Sequence, residues 1–282
     1  MEFFLNLLRS VAYGIIEGVT EWLPISSTGH MILAEQVLKF SFSAEFMEMF
    51  RVVIQLGAIL AVVVLYFKKL WPFCADNGRD SGFSRHFRWP VVRLWCKIIV
   101  ACVPAAVLGL LLDDWLDAHL YNSITVALML IIYGIAFILI ERRPRVPTTT
   151  KLSRITYKQA LIVGAWQVLA LIPGTSRSGS TIIGGLLCGM SRPAASQFTF
   201  FLAIPVMFGA SALKVVKYLM EGMVFTGEQL AVLGLGCAVA FVVSVLSIGF
   251  LMNFVKKHDF KVFGWYRIAL GIVVLAAALL GL

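Results

Sequence analysis

Six stretches of this chain are apolar for long enough to cross a bilayer, and no other feature limits the fold as strongly. Crossing about 30 Å of hydrocarbon takes roughly 20 helical residues, and runs of that order lie at about 46–67, 91–112, 122–140, 198–219, 229–254 and 263–282. The runs are continuous, unlike the short alternating segments of a membrane β-barrel. The chain is 60% hydrophobic and only 14% charged, against about a quarter charged in a soluble domain. Its polar residues are too few to coat a globule. The net charge of +9 does not indicate a nucleic-acid partner, because the basic residues sit in short segments beside apolar runs, the pattern that orients membrane helices. Glu2 precedes the first apolar run, with no basic segment or small-residue cleavage site to mark a signal peptide. Cys74, Cys96, Cys102, Cys188 and Cys237 form no CxxC pair and read as small buried hydrophobes.

Two further apolar regions, 5–40 and 157–192, are each broken in the middle by a proline and a Ser/Thr/Gly cluster. Their halves are expected to be too short to span. Loop charges then set orientation. Lys68, Lys69, Arg79, Arg85, Arg88, Arg93 and Lys97 mark one basic segment, Arg142, Arg143, Arg145, Lys151, Arg154 and Lys158 a second, and Lys256, Lys257 and Lys261 a third. The 113–121 segment carries Asp113, Asp114 and Asp117, and the 220–228 segment Glu221 and Glu228, with no Lys or Arg in either. The basic loops, about 68–90, 141–156 and 255–262, are expected in the cytoplasm and the acidic ones outside. Region 157–192 must then leave the cytoplasm and return to it as a re-entrant hairpin, and region 5–40 can do the same from the outside. Such breaks are tolerated only where they are buried in protein or line a wet cavity. Pro24-Ile25-Ser26-Ser27 and Pro173-Gly174-Thr175-Ser176 are offset by 149, and Phe50–Leu65 falls on Phe198–Leu213 at about the same offset. The expected fold is an all-α polytopic membrane protein: one transmembrane domain of six spanning helices plus two re-entrant hairpins in an inverted-topology repeat. Repeat one covers about 5–112 and repeat two about 157–254.

The breaks hold the chemistry. In EGVTEWLPISSTGH, Glu17 and Glu21 are four apart and share a helix face. Two carboxylates in an apolar setting repel unless a cation or proton lies between them, which suggests either a divalent site with hard oxygen ligands, Mg²⁺ or Ca²⁺, or an acid/base pair. Pro24 ends the half-helix. Ser26 or Ser27 can cap the next one, turning backbone N–H groups toward an anion. His30 follows Ser27 by one helical turn, the minimum for an activated nucleophile. In PGTSRSGST, Gly174 and Gly179 allow close backbone approach, and Ser176, Ser178, Ser180 and Thr181 supply hydroxyls. Arg177 is the only charge between Lys158 and Arg192, and its fork suits phosphate. A salt bridge from Arg177 to Glu17 or Glu21 is compatible with that role. Together the two breaks hold the parts for phosphoryl chemistry.

Both motifs, with VIQLGAILAV at 53–62 and SQFTFFLAIP at 196–205, resemble the undecaprenyl-diphosphate phosphatases, the bacitracin-resistance phosphatases of bacterial inner membranes. The resemblance covers essentially the whole chain. It implies removal of the terminal phosphate of undecaprenyl diphosphate, which recycles the lipid carrier for cell-wall synthesis, and a requirement for a divalent cation. By that resemblance Glu17 and Glu21 serve the cation or the attacking group. Ser27 is the nucleophile and His30 its partner, while Ser26, Thr28, Ser176, Arg177, Ser178 and Thr181 contact the diphosphate. Trp22 replaces a phenylalanine expected in relatives, a change of packing and not of chemistry. Attack by water in place of Ser27 stays open. The expected partners are the polyprenyl diphosphate, the surrounding lipids and, left open, a second copy of the chain. The site is expected to open to the outer (periplasmic) face. A lipid-phosphate transporter or flippase on the same repeat is the competing reading, although a carrier needs no nucleophile. The type-2 phosphatidic acid phosphatases also pair Ser–His with Ser–Arg, but their second histidine has no counterpart here, since residues 178–191 contain none.

Overall fold

Ten principal helices organise the described part of the chain. They are α1 (Glu2–Thr20), α2 (Ser27–Val37), α3 (Ala44–Leu65), α4 (Trp89–Leu120), α5 (Ser123–Arg142), α6 (Tyr157–Val168), α7 (Arg177–Leu187), α8 (Arg192–Met220), α9 (Gly227–Phe254) and α10 (Lys261–Leu279). The computed structural model describes residues 1–75, 82–142 and 146–280, without the side chains at 82, 83, 113, 114 and 117. Arg79, Arg143, Arg145 and the Asp113, Asp114 and Asp117 side chains therefore lie outside the described residues.

Six helices, α3, α4, α5, α8, α9 and α10, are long and apolar enough to cross a membrane, and each lies within a few residues of an expected run. The chain is a multi-pass membrane protein. Local chemistry explains the starts. Thr156 and Thr226 each form a capping box with the glutamine three residues on, at α6 and α9. Ser191 caps α8 ahead of Pro193 in its first turn.

Two expectations are corrected. Residues 113–120 are not a loop but the last turns of α4, because no glycine or proline falls between Gly109 and Leu120 to stop the helix. The first half of region 5–40 is also longer than expected. At 19 residues α1 approaches membrane length, and it is the charges Glu2, Arg9 and Glu17 that set it apart from the six.

Both broken regions fold back on themselves. Near the start of α1, Asn6 donates to Ser41 Oγ, just beyond α2, at 2.9 Å. Near the start of α6, Gln159 donates to the Cys188 carbonyl at the end of α7, at 3.0 Å. The two hairpins open at opposite ends of the molecule. Asn6 also donates to Glu228 at 2.9 Å, beside the acidic 220–228 segment. Gln159 donates to Thr149 at 3.0 Å, in the basic 141–156 segment. At that basic end Arg192 forms a two-pronged ion pair with Glu141, at 2.8 and 2.5 Å, and Glu141 also accepts from the Phe260 N–H at 3.2 Å. The end of α5 and the starts of α8 and α10 thus meet on one face.

The packing is reciprocal. α1 packs on α9, and α6 packs on α4, while α5 pairs with α10. Small residues permit these contacts, as expected where van der Waals fit drives helix association. A Cβ on Gly14 would meet the Gly236 carbonyl at 2.8 Å, and one on Gly164 would meet the Ala101 carbonyl at 2.3 Å. Gly14 and Gly164 are 150 residues apart, close to the expected repeat offset. The tightest approach is at Gly57 on α3, where a Cβ would stand 2.0 Å from the Cys237 carbonyl on α9. Gly57→Ala is expected to part these helices at a cost of about 1–3 kcal/mol or more. The measurement is the thermal unfolding midpoint and the monodisperse yield in detergent, and an unchanged midpoint would show that the contact is unimportant.

The five cysteines are free, and none is fully buried. Cys96 is exposed and the others are half-covered. Cys102 and Cys188 pack against the core, so the expectation of small buried hydrophobes holds in part and fails plainly at Cys96.

Candidate active site

The two breaks meet. Between α1 and α2 the chain turns at Pro24, and between α6 and α7 at Pro173 and Gly174. Gly174 has φ +88°, and a Cβ there would lie 2.5 Å from the Val126 carbonyl, so glycine is required by both backbone and space. The next helix of each pair starts after a serine in a left-handed conformation: Ser26 at φ 74° and Ser176 at φ 69°, the non-glycine residues of positive φ among the described residues. They too are 150 residues apart. Such strain, about 1–3 kcal/mol per residue, persists only where the surroundings impose it and tends to collect at functional sites.

At this junction Glu21 is shared. Its Oε1 accepts from Arg177 Nη2 at 2.9 Å and its Oε2 from Ser27 Oγ at 3.0 Å. Arg177 also donates to the Thr199 carbonyl on α8 at 3.0 Å, and its guanidinium lies 6.0 Å from the Trp22 ring centre. Glu21 is 7% exposed and the Arg177 side chain 12%, so the pair sits largely out of water, where its partners matter most. Glu17, one turn before Glu21, is buried within electrostatic reach of Glu21 and Arg177, and its Oε1 has no partner.

The expected Ser27–His30 bond does not form. His30 Nδ1 lies 2.7 Å from the Ser26 carbonyl and Nε2 lies 2.7 Å from the Tyr266 hydroxyl of α10, with the two rings stacked at 8°. A carbonyl only accepts, so Nδ1 carries the proton, and a neutral imidazole accepts from Tyr266 at Nε2. Both ring nitrogens are engaged, and the group that accepts the Ser27 proton bond is Glu21. The capping expectation is also refined. Ser26 occupies the cap position of α2, but its hydroxyl caps nothing and is buried without a partner. The first N–H groups of α2 therefore keep their capacity for an anion. Ser176 does cap α7, accepting from the Gly179 N–H at 3.2 Å.

Of the remaining expected contacts, Ser178 lies 3.2 Å from Ser176 Oγ and donates to the Leu23 carbonyl at 3.4 Å, a second tie between the breaks. Thr181 is fully buried, donates to the Arg177 carbonyl at 2.8 Å and accepts from Thr199 at 2.9 Å. It braces the Arg177 turn. Thr28 is half-buried in the first turn of α2. Trp22 is fully buried and packs edge-on to Phe200 at 5.2 Å, with the Arg177 guanidinium 6.0 Å from its ring centre.

Residues 10–273 match the family described as "Bacitracin resistance protein BacA". The chain belongs to this family. Its similarity to curated BacA-family relatives is nearly end to end. It is 58% identical over 274 residues to an undecaprenyl-diphosphatase of Enterococcus faecalis, covering 96% of this chain and 97% of the relative. It is 58% identical over 276 residues to one of Desulfitobacterium hafniense, covering 96% and 95%. A third, from Lactococcus lactis, is 53% identical over 279 residues, covering 98% of each.

Three residues of this BacA-family site lay outside both sequence motifs: Thr199, Tyr266 and Arg267. Arg267 had a visible signal, a lone cation within an apolar run, which in a membrane helix marks a functional position by default. Thr199 contributes a backbone carbonyl, and Tyr266 is an interfacial tyrosine like any other in sequence. Thr199 falls in the 196–205 stretch that carries the family resemblance but is not marked there by its residue type, and Tyr266 carries no sequence signal.

Proposed function

We propose that this chain hydrolyses undecaprenyl diphosphate to undecaprenyl phosphate and inorganic phosphate, recycling the cell-wall lipid carrier and conferring bacitracin resistance. The observation that carries the reading is the Ser27–Glu21–Arg177 chain, in which a hydroxyl, its base and an anion-binding fork converge from two separate breaks. Arg177 and the free N–H groups of α2 hold the diphosphate. Glu21 takes the Ser27 proton as Oγ attacks the terminal phosphorus, the bond to the bridging oxygen breaks, and the lipid phosphate leaves. Water then releases phosphate from the serine. A transporter has no need for the Ser27–Glu21 bond. Phosphate release by purified protein in detergent, with no second compartment, tests the reading; protein that binds the lipid diphosphate but releases no phosphate would sink it.

The divalent cation, Mg²⁺ or Ca²⁺, belongs to the same proposal. Among the described residues no three His, Cys, Asp or Glu side chains form a self-sufficient metal group. The unpartnered Glu17 Oε1 nonetheless suits a cation whose other ligands are diphosphate oxygens and water. Bound there, the ion would neutralise charge on the diphosphate. Chelation should abolish phosphate release and Mg²⁺ or Ca²⁺ restore it, with Glu17→Gln raising the cation concentration needed by about tenfold or more. Activity indifferent to chelator would remove this role from Glu17 and Glu21.

The two hairpins are proposed to enter the bilayer from opposite faces, with the site opening outward. Supporting this, the open end of the first hairpin lies beside the acidic 220–228 segment, where Asn6 donates to Glu228 at 2.9 Å.

A further inference from the structure

We propose that Arg267 is a positioning residue of this site: from α10 it fixes the two breaks against each other, so that Ser27 and Glu21 of one meet Arg177 of the other. The inference rests on the phosphatase reading and extends it to a helix outside both motifs. Arg267 is fully buried and makes no ion pair among the described residues. All of its bonds go to backbone carbonyls. Nη2 donates to Gly174 and Thr175 at 2.9 Å each and to Met129 at 3.4 Å, and Nη1 donates to Pro24 at 3.3 Å. One guanidinium thus holds both breaks and α5 together, and the Tyr133 ring lies 5.5 Å from it.

The carbonyls it holds are the ones that matter. Thr175 immediately precedes Ser176, so anchoring its carbonyl fixes the peptide plane that enters the left-handed turn. Pro24 stands two residues before Ser26, the other left-handed serine. A buried cation met only by carbonyls, with its Nε left without a partner, is costly. An apolar residue would fill the space without that cost, but could not bind both backbones. Lysine would keep the charge, but as a point donor on a flexible stem it has no fork to span them.

Arg267 acts through other residues, so its loss should appear in turnover more than in capture. A misplacement of about 1 Å costs on the order of a hundredfold in rate. Arg267→Lys is therefore expected to lower kcat for a polyprenyl diphosphate by about a hundredfold, with KM changed less than about threefold and the unfolding midpoint nearly unchanged. Amide exchange across Thr175–Gly179 should accelerate. Arg267→Ala should recover about tenfold or more of its lost kcat when guanidinium is supplied in solution, a rescue that tethered packing alone would not give. Arg267→Lys with kcat within about threefold of the parent overturns the proposal. So does a raised KM at unchanged kcat, which would make Arg267 a direct anion contact, or an activity loss that only tracks lost folded protein. An unmodified protein without phosphatase activity would instead defeat the reading of the site itself.

Discussion

Glu21→Gln should reduce phosphate release by about a thousandfold, within the range of about 10²–10⁴ that a positioned general base contributes, while the protein still folds. Glutamine keeps the shape of the side chain but cannot take the Ser27 proton. It also leaves the Arg177 guanidinium without its counter-charge in a largely dry site, and breaking a buried pair from one side costs about 3–5 kcal/mol. Arg177 retains the Thr199 carbonyl at 3.0 Å and the Trp22 face, so the guanidinium should stay in place. The unfolding midpoint should fall measurably, while the folded protein that remains loses its rate severely. Activity within about tenfold of the parent would show that Glu21 is structural and that the proton leaves Ser27 by another path.

Ser27→Ala is the second large effect expected. If Ser27 Oγ forms the bond to phosphorus, its removal should lower kcat by about a thousandfold or more with little change in KM, and rapid quenching of the parent protein should trap phosphate on Ser27. Near-parental turnover would pass the attack to water, with Glu21 activating it. His30 gives a contrast. Its nitrogens are taken by the Ser26 carbonyl and Tyr266, contacts that tie it to the left-handed turn ahead of Ser27. Tyr266→Phe, which removes one of those bonds, should cost far less than Ser27→Ala when kcat is measured on both.

How much of this was legible in the sequence depended on distance along the chain. The six apolar runs were, because a membrane demands unbroken length and the chain supplies it at each of them. Ends were less so: a bilayer sets the length of an apolar run but not of the helix that carries it, so α4 continues to Leu120 through residues that favour helix. The site's charged members were visible because Glu17, Glu21 and Arg177 are anomalies in apolar surroundings. Their partners were not. Counting along a helix puts His30 beside Ser27, but the break before Ser27 folds back and brings Glu21 there instead, six residues away across the turn. The Arg267 clamp was further out of reach, since its acceptors are carbonyls 92 to 243 residues away and any residue type supplies a carbonyl.

The reciprocal packing bears on how the protein is made. Glu17, Glu21 and Ser27 precede in the chain the helices they depend on, since α1 rests on α9 and the turn at Pro24 is anchored from α10. Until α9 and α10 are made the first hairpin has neither its seat nor its clamp, and Glu21 waits for the second hairpin to bring Arg177. The junction of the two breaks is therefore an event of completion: a nascent chain arrested before α10 holds every residue of the first motif and lacks the Arg267 bonds to Pro24, Gly174 and Thr175.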